Sequence, residues 1–267
     1  MTQRQETLGF WYDGELCNGD RITLSIQDPG LLYGATIFTT LRVFEQNLDH
    51  PLTHWNAHLD RLRSLPPFWT KPDWARIRQG CETLKSRFPI LRITIFPDGR
   101  EWITGRLLPP DLHTRQTQGI RAQVLDTTWS RSLPNWKTGN YLAPWLGLRS
   151  AQASGSQEGI FVDPHGNWLE TTTGTLWGYR SGAWYTPPLN AGILGGIQRE
   201  WILREALQMP SLGEIEPWTP EFVQTLEAIA YSNCVVGLVP IQDVIGVGQW
   251  DSAGCTALKA LQSKTMK

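Results

Sequence analysis

At 267 residues the chain is long enough to bury a substantial core, as one large domain or two of moderate size, which excludes a peptide-sized scaffold. Its 24 Lys and Arg nearly balance 25 Asp and Glu, for a formal charge of −1 and with no basic block, which argues against nucleic acid or another polyanion as a partner. The four cysteines, Cys17, Cys81, Cys234 and Cys255, are widely spaced, with no CxxC pair and no neighbouring histidine, so reduced, mostly buried thiols are expected rather than a disulfide or metal framework. The opening MTQRQETLGF lacks the apolar stretch of a signal peptide, and no run approaches the roughly 18 apolar residues of a membrane span. A soluble, cytoplasmic protein is the expectation.

In chain order, residues 9–25 read as a hairpin, because FWYDGELCNGDRITL carries Asp-Gly and Asn-Gly turn signals between β-prone pieces. IFTTLRVFE follows as a strand with Phe38, Thr40 and Arg42 on one face. Apolar spacing over His54–Leu65 predicts an amphipathic helix stopped by Pro66-Pro67, and a second helix is expected around Asp73–Phe88 before the strand ILRITIF. LLPPDLHTRQTQG, with two prolines and many polar residues, reads as a linker near 108–119, dividing domains 1–113 and 114–267. Beyond it come a strand at IRAQVLD, a helix through about Ala153, and strands at GIFVD and NWLETTTGTLWGYR turned around Pro164, His165 and Gly166. A short strand at AWYTPP, a glycine-rich loop entering a helix at AGILGGIQREWILREAL, and β-prone runs in TLEAIAYSNCVVGLVPIQDV complete the chain. Fourteen tryptophans, scattered without a repeat, read as packing residues. Both halves look like mixed α+β units.

Four features could carry chemistry. Lys137 lies between tryptophans in NWKTGNYL; either its stem covers a tryptophan on the surface, or its amine is kept for nucleophilic or Schiff-base work. GILGGIQRE places paired glycines before a helix, where exposed backbone N–H groups suit an anion such as phosphate, although such glycines are often plain punctuation. Arg61, in HWNAHLDRL, could supply a converging cation or lie on a solvated face. Glu170 stands in an otherwise uncharged strand, where it either alternates outward to solvent or is buried with a cationic partner such as a protonated pyridine nitrogen. The five histidines, His50, His54, His58, His113 and His165, have neither triad nor metal spacing. Serine-hydrolase, Walker and Rossmann signatures are absent. An amine, an anion cradle, a carboxylate and an arginine are together the parts that hold pyridoxal 5'-phosphate.

The stretches LLYGATIFTTLRVF, HLDRL, KTGNYL, FVDPHGNWLETTTGTLW, YTPPLNAGILGGIQRE and SNCVVGLVPI, in this order from Leu31 to Ile241, resemble the fold-type IV pyridoxal-phosphate enzymes. That family includes branched-chain and D-amino-acid aminotransferases and aminodeoxychorismate lyases. The resemblance implies a two-domain α+β fold like that of D-amino-acid aminotransferase, with a small N-terminal α/β domain and a larger C-terminal domain built on a mixed, barrel-like sheet. It implies Lys137 as Schiff-base lysine, Tyr141 near the cofactor's phenolic oxygen, Arg61 as phosphate ligand and Glu170 as partner of the pyridine nitrogen. Gly196, Ile197 and Gln198 match the phosphate-binding backbone, and Asn233 and Cys234 begin a loop over the cofactor's far side. Tyr33, Phe38, Thr40 and Arg42 match strand positions facing the substrate. A homodimer with the active site near the interface is also implied. Two departures concern substrate recognition: Thr175 stands where the family has asparagine, and Pro97-Asp98, with Arg100 later, where the lyases often read Arg-Gly.

Within the family, FTTLRV and SNCVVGLVPI and the chain length resemble the lyases more than the branched-chain enzymes. The expectation is a 4-amino-4-deoxychorismate lyase making p-aminobenzoate and pyruvate for folate synthesis. The alternatives are a branched-chain or D-amino-acid aminotransferase and, from another class, a binding or structural protein of the same fold.

Overall fold

The computed structural model describes residues 9–206, 212–214 and 217–265, so the N-terminal Met1–Leu8 and the last residue of the helix expected to run to Leu207 lie outside the described residues. The chain divides into two compact units. The first is Met1–Pro109 with Trp136–Asn140, and the second is Pro110–Asn135 with Tyr141–Lys267. The division thus falls a few residues before 113, and the Lys137 segment groups with the first unit although it follows the division in sequence.

The first unit begins with a hairpin of β1 (Phe10–Tyr12) and β2 (Glu15–Cys17) turned at Asp13-Gly14, both with positive φ. The second turn signal, Asn18-Gly19, leads to no strand, and Ile22–Leu24 are irregular, so the hairpin is shorter than its sequence suggests. A short helix α1 (Pro29–Tyr33), capped by the Asp28 carboxylate on the Gly30 amide, precedes β3 (Ile37–Arg42). Helices α2 (Trp55–Arg63) and α3 (Trp74–Leu84) follow, the latter capped by Asp73, which accepts from the Ala75 and Arg76 amides. Strands β4 (Ile90–Ile95) and β5 (Glu101–Arg106) complete an antiparallel sheet in the order β2-β1-β5-β4-β3. Period-two alternation splits this sheet into two faces. Ile37, Leu41, Leu91, Ile93, Ile95 and Ile103 pack with Leu59 and Leu62 of α2 and Ile77, Cys81 and Leu84 of α3. The opposite face carries Arg42, Arg92 and Arg106 with Thr40, Thr94 and Thr104, beside Phe38, Ile90 and Trp102, while Thr39 and Glu101 are polar residues on the core face.

The second unit opens with α4 (Leu112–Gln118), where a linker is the sequence-based expectation. Its polar composition hides two buried anchors, Leu112 and Gln116, and the Gln116 amide donates to the Val236 carbonyl at 2.8 Å. Strand β6 (Ile120–Val124), helix α5 (Leu142–Ala153) and strands β7 (Glu158–Val162), β8 (Trp168–Thr171), β9 (Thr175–Arg180) and β10 (Ala183–Thr186) follow. NWLETTTGTLWGYR is therefore two strands separated by a turn at 172–174. Next come α6 (Ile197–Ala206), β11 (Leu212–Glu214), α7 (Pro220–Gln224), β12 (Ala228–Asn233), β13 (Gly237–Ile245), β14 (Gly248–Gln249) and α8 (Thr256–Thr265).

The strand order is β11-β10-β9-β12-β13-β6-β7-β8, with β14 on β13, and the sheet is mixed: β6 runs parallel to both β13 and β7, while β12 is antiparallel to β9 and β13. Strand β8 is the edge, yet the chain passes from it to β9, in the interior of the other end, through three residues, and the Thr171 amide donates to the Gly174 carbonyl at 2.9 Å. So short a connection requires the sheet to curl back on itself, the barrel-like form expected of a fold-type IV large domain. Trp177, Trp184, Ile202, Ala230, Leu238, Leu258 and Leu261 form a core where α6 and α8 cover it. The four cysteines are free thiols; Cys81 is buried, and Cys17, Cys234 and Cys255 are only partly so.

Candidate active site

In the first unit Lys137 lies against a sheet edge. Strand β3 ends its sheet, leaving backbone groups that another strand must meet. The Phe38 amide donates to the Lys137 carbonyl at 2.8 Å and the Gly139 amide to the Thr36 carbonyl at 2.7 Å, with Ile37 bridged to Thr138. Trp136 packs against the core beneath. The backbones are so close that a Cβ on Gly139 would lie 2.1 Å from Thr36 Oγ1 and 2.9 Å from the Gly34 carbonyl, which explains the glycine of KTG. Lys137 is thereby fixed on both sides by backbone, half-buried, with Nζ 5.0 Å from the Phe38 ring centroid.

Phe38 belongs to the polar face. Register across β3, β4 and β5 aligns Phe38 with Thr94, Thr40 with Arg92 and Thr104, and Arg42 with Ile90 and Arg106. Directly paired residues share a face, so Arg42, Arg92 and Arg106 lie on one face with Phe38, Thr40 and Thr94. None of the positions of the three strands on it is acidic. The Arg92 guanidinium carbon sits 3.6 Å from the Phe38 ring centroid and that of Arg42 4.5 Å from the Phe44 ring. Burial holds the Arg42 pKa below its ordinary value. Tyr33 departs from the strand placement expected of it: it ends helix α1 and is 73% exposed, because Pro29 and the Asp28 cap start a helical turn there.

Arg61 lies in the last turn of α2, half-buried. Its neighbour His58 is fully buried, with Nδ1 2.6 Å from Thr39 Oγ1. Burial, then the charges of Arg61, His54 and Lys137, hold His58 well below the usual histidine range, so it is a neutral core histidine. Among the described residues no cluster of His, Cys, Asp and Glu could hold a metal ion. Arg100 is bound by Asp98 and Asp28, each at 2.6 Å, and by the Tyr12 hydroxyl, a structural brace for the loop before α1.

In the second unit Glu170 is buried, 4% exposed, and does not alternate outward to solvent. Its Oε1 accepts from Arg131 Nε at 2.6 Å and its Oε2 from the Leu194 amide at 3.4 Å. Burial works against the Arg131 charge, but the Glu170 carboxylate and Tyr141 more than compensate, and the guanidinium pKa lies above its ordinary value. Arg131 also lies over the Tyr141 ring, 5.6 Å from its centroid. The Tyr141 hydroxyl donates to the Thr172 carbonyl at 3.1 Å, and burial, only partly offset by Arg131, raises its pKa, so it stays protonated. Arg131 is the partner of Glu170 that sequence reasoning misses. Its signal is weak: a lone cation in WSRSLP, six positions before Lys137.

Leu194, held by Glu170, leads through Gly195-Gly196 into α6, whose first residues are Ile197 and the buried Gln198. A Cβ on Gly196 would lie 2.9 Å from Thr175 Oγ1, so the hydroxyl that stands in place of asparagine faces the glycine turn at close quarters. Asn233 braces a loop: its Oδ1 accepts from the Val235 and Val236 amides at 2.9 and 3.0 Å and its amide donates to the Thr173 carbonyl at 3.3 Å. Cys234 is the next residue of that loop, partly buried. The second unit thus brings Glu170, Tyr141, Arg131 and the start of α6 into one connected set. A buried carboxylate paired with a guanidinium and a glycine-turned helix N-terminus fit a protonated ring nitrogen and a phosphate.

Residues 36–244 match the family described as Amino-transferase class IV. Among curated proteins, the branched-chain-amino-acid aminotransferase of Salmonella typhimurium is 22% identical over 89% of this chain and 85% of its own length. The aminodeoxychorismate lyase of Bacillus subtilis is also 22% identical, over 97% of this chain and 94% of its own. Among solved structures, the T.th. branched-chain amino acid aminotransferase with pyridoxamine 5'-phosphate superposes with a TM-score of 0.81 at 17% identity, covering 98% of this chain and 94% of that one.

Proposed function

The chain belongs to the amino-transferase class IV family, and from that membership we propose that it is a pyridoxal 5'-phosphate-dependent 4-amino-4-deoxychorismate lyase, forming p-aminobenzoate and pyruvate. The residues proposed to hold the cofactor are Lys137 through its amine, Tyr141 at the phenolic oxygen, Glu170 at the ring nitrogen, and Arg61 with the backbone of Gly196, Ile197 and Gln198 at the phosphate. Asn233 and Cys234 line its far side. When bound, pyridoxal 5'-phosphate supplies a protonated ring that accepts electrons from the carbon bearing the substrate nitrogen.

This chain's side chains supply the rest. Glu170, paired with Arg131, holds the proton on the ring nitrogen. Lys137 removes the proton from the amine-bearing ring carbon of the substrate. The bond from the substrate ring to the enolpyruvyl oxygen then breaks, the ring becomes aromatic, and Lys137 returns a proton to the methylene carbon of the departing enol.

The single observation that favours the lyase is the polar face of β3, β4 and β5. On it Arg42, Arg92 and Arg106 with Thr40 and Thr94 supply cations and hydroxyls for a substrate bearing two carboxylates, beside the apolar Phe38, Ile90 and Trp102. The second reading, an aminotransferase of branched-chain or D-amino acids, is favoured by the branched-chain aminotransferases among the relatives. In it the same lysine, Lys137, moves the proton from Cα of an amino acid, and a keto acid leaves. Both readings make the substrate a small amine, with no polyanion and no membrane in the reaction; no described helix is long and apolar enough to cross a membrane. Purified protein incubated with aminodeoxychorismate, and separately with amino-acid and keto-acid pairs, distinguishes the two. p-Aminobenzoate fluorescence supports the lyase, and keto-acid formation without it supports the aminotransferase.

A further inference from the structure

Glu158 opens β7, a strand in which every residue is buried, and is itself 3% exposed. A carboxylate in such a place is costly unless its oxygens are filled. They are filled by two hydroxyls: Thr172 Oγ1 donates to Oε2 at 2.6 Å and Thr173 Oγ1 to Oε1 at 2.5 Å. Both threonines belong to the turn that follows Glu170. The same turn is held by backbone, since the Thr172 amide donates to the Gly159 carbonyl at 2.8 Å, and by Asn233 on its other side. Its Thr172 carbonyl is the acceptor of the Tyr141 hydroxyl.

We propose that Glu158 is a positioning residue for the reaction: by clamping the Thr172 and Thr173 hydroxyls it sets the Thr172 carbonyl that orients the Tyr141 hydroxyl. The proposal rests on reading Tyr141 as the partner of the cofactor's phenolic oxygen. A purely structural filler of this space would not need to be an acid. Two hydroxyls donating to one side chain require an acceptor at both of its ends, which a carboxylate is and a glutamine is not. The charged and titratable groups around it are Arg115 of α4, Tyr231 of β12 and Tyr141 of α5's N-terminus, with Asp111 paired to Arg115 at 2.9 Å. Burial pushes the Glu158 carboxyl up to about 7, against the pull of the two hydroxyls and Arg115.

The test is a double-mutant cycle between Glu158→Gln and Tyr141→Phe in the holoenzyme, read by the absorption spectrum of the bound cofactor, its pH midpoint, and kcat against KM. Glu158→Gln is expected to shift the spectrum and its midpoint and to lower kcat roughly tenfold, the worth of one well-placed hydrogen bond, with KM little changed. In the Tyr141→Phe background it is expected to have no further effect on either. Equal effects of Glu158→Gln in both backgrounds overturn the proposal alone. A Tyr141→Phe protein with wild-type spectrum and kcat overturns the reading of Tyr141, and the proposal with it. If Glu158→Gln does not fold, Thr173→Val removes one of the two hydroxyls and is expected to shift the spectrum in the same direction by less; an unshifted spectrum overturns the proposal.

Discussion

Arg131 and Glu170 form a buried ion pair, Nε to Oε1 at 2.6 Å, with side chains only 7% and 5% exposed. The pair supplies the cationic partner that a carboxylate buried in the interior of a strand needs. It also makes Arg131 as much a part of the site as Glu170, although the two are 39 positions apart.

Removing one partner of a buried pair leaves the other charge without compensation. Arg131→Met is therefore expected to destabilise the apoprotein by about 3–5 kcal/mol in urea titrations. A loss below about 0.5 kcal/mol, the range of ordinary surface substitutions, contradicts a buried pair.

The stretch from Lys137 to Gly139 depends on close backbone approach. Gly139→Ala places a methyl 2.1 Å from Thr36 Oγ1 and 2.9 Å from a carbonyl, so the two segments must part. The expected cost is roughly 1–3 kcal/mol of stability, as for overpacked cores. Reaction rates should fall as well, because Lys137 loses its fixed position; a variant of wild-type stability and rate shows that the segment is not held as described.

His58 gives the first unit a pH dependence. Its folded pKa lies well below the 6.5 of a free histidine, so its contribution is fully present above that value and is lost as the pH falls below it towards the folded pKa. Urea midpoints at about pH 7.5 and about pH 5.5 should therefore drop more in wild type than in His58→Asn, which cannot gain a proton. Equal drops place the acid lability elsewhere.

Arg61→Ala should weaken cofactor retention more than it alters chemistry in saturating cofactor. A charge-assisted bond to phosphate contributes on the order of ten- to a hundredfold in affinity. Cofactor affinity unchanged from wild type removes Arg61 from the phosphate site.

Much of this was legible in the sequence where a local pattern carried the information. Alternation marked β3, the stretch from Asp73 marked α3, and the ordered stretches around Lys137 and Glu170 marked the family. What stayed hidden depends on partners distant in the chain. Strand β5 begins with the buried Glu101, whose donors Trp11, Gly14 and Arg76 are all distant in the chain. Helix α4 reads as a polar linker because its buried anchors, Leu112 and Gln116, are two among mostly polar residues. The Asn18-Gly19 signal is a turn without a returning strand, since β1 already has β2 and β5 as neighbours. Arg131 has no local pattern at all; its meaning comes entirely from Glu170 and Tyr141.

The central claim is that Lys137 carries the cofactor of a pyridoxal-phosphate enzyme, and reduction followed by peptide mapping tests it most directly. Purified holoenzyme is reduced with borohydride and digested, and the fluorescent pyridoxyl peptide is sequenced. The expected result is a single labelled peptide spanning NWKTGNYL, modified on Lys137, from a protein that is yellow before reduction. A pyridoxyl group on Lys85 or Lys259 instead, or a colourless protein that takes up no cofactor and yields no labelled peptide, contradicts the account.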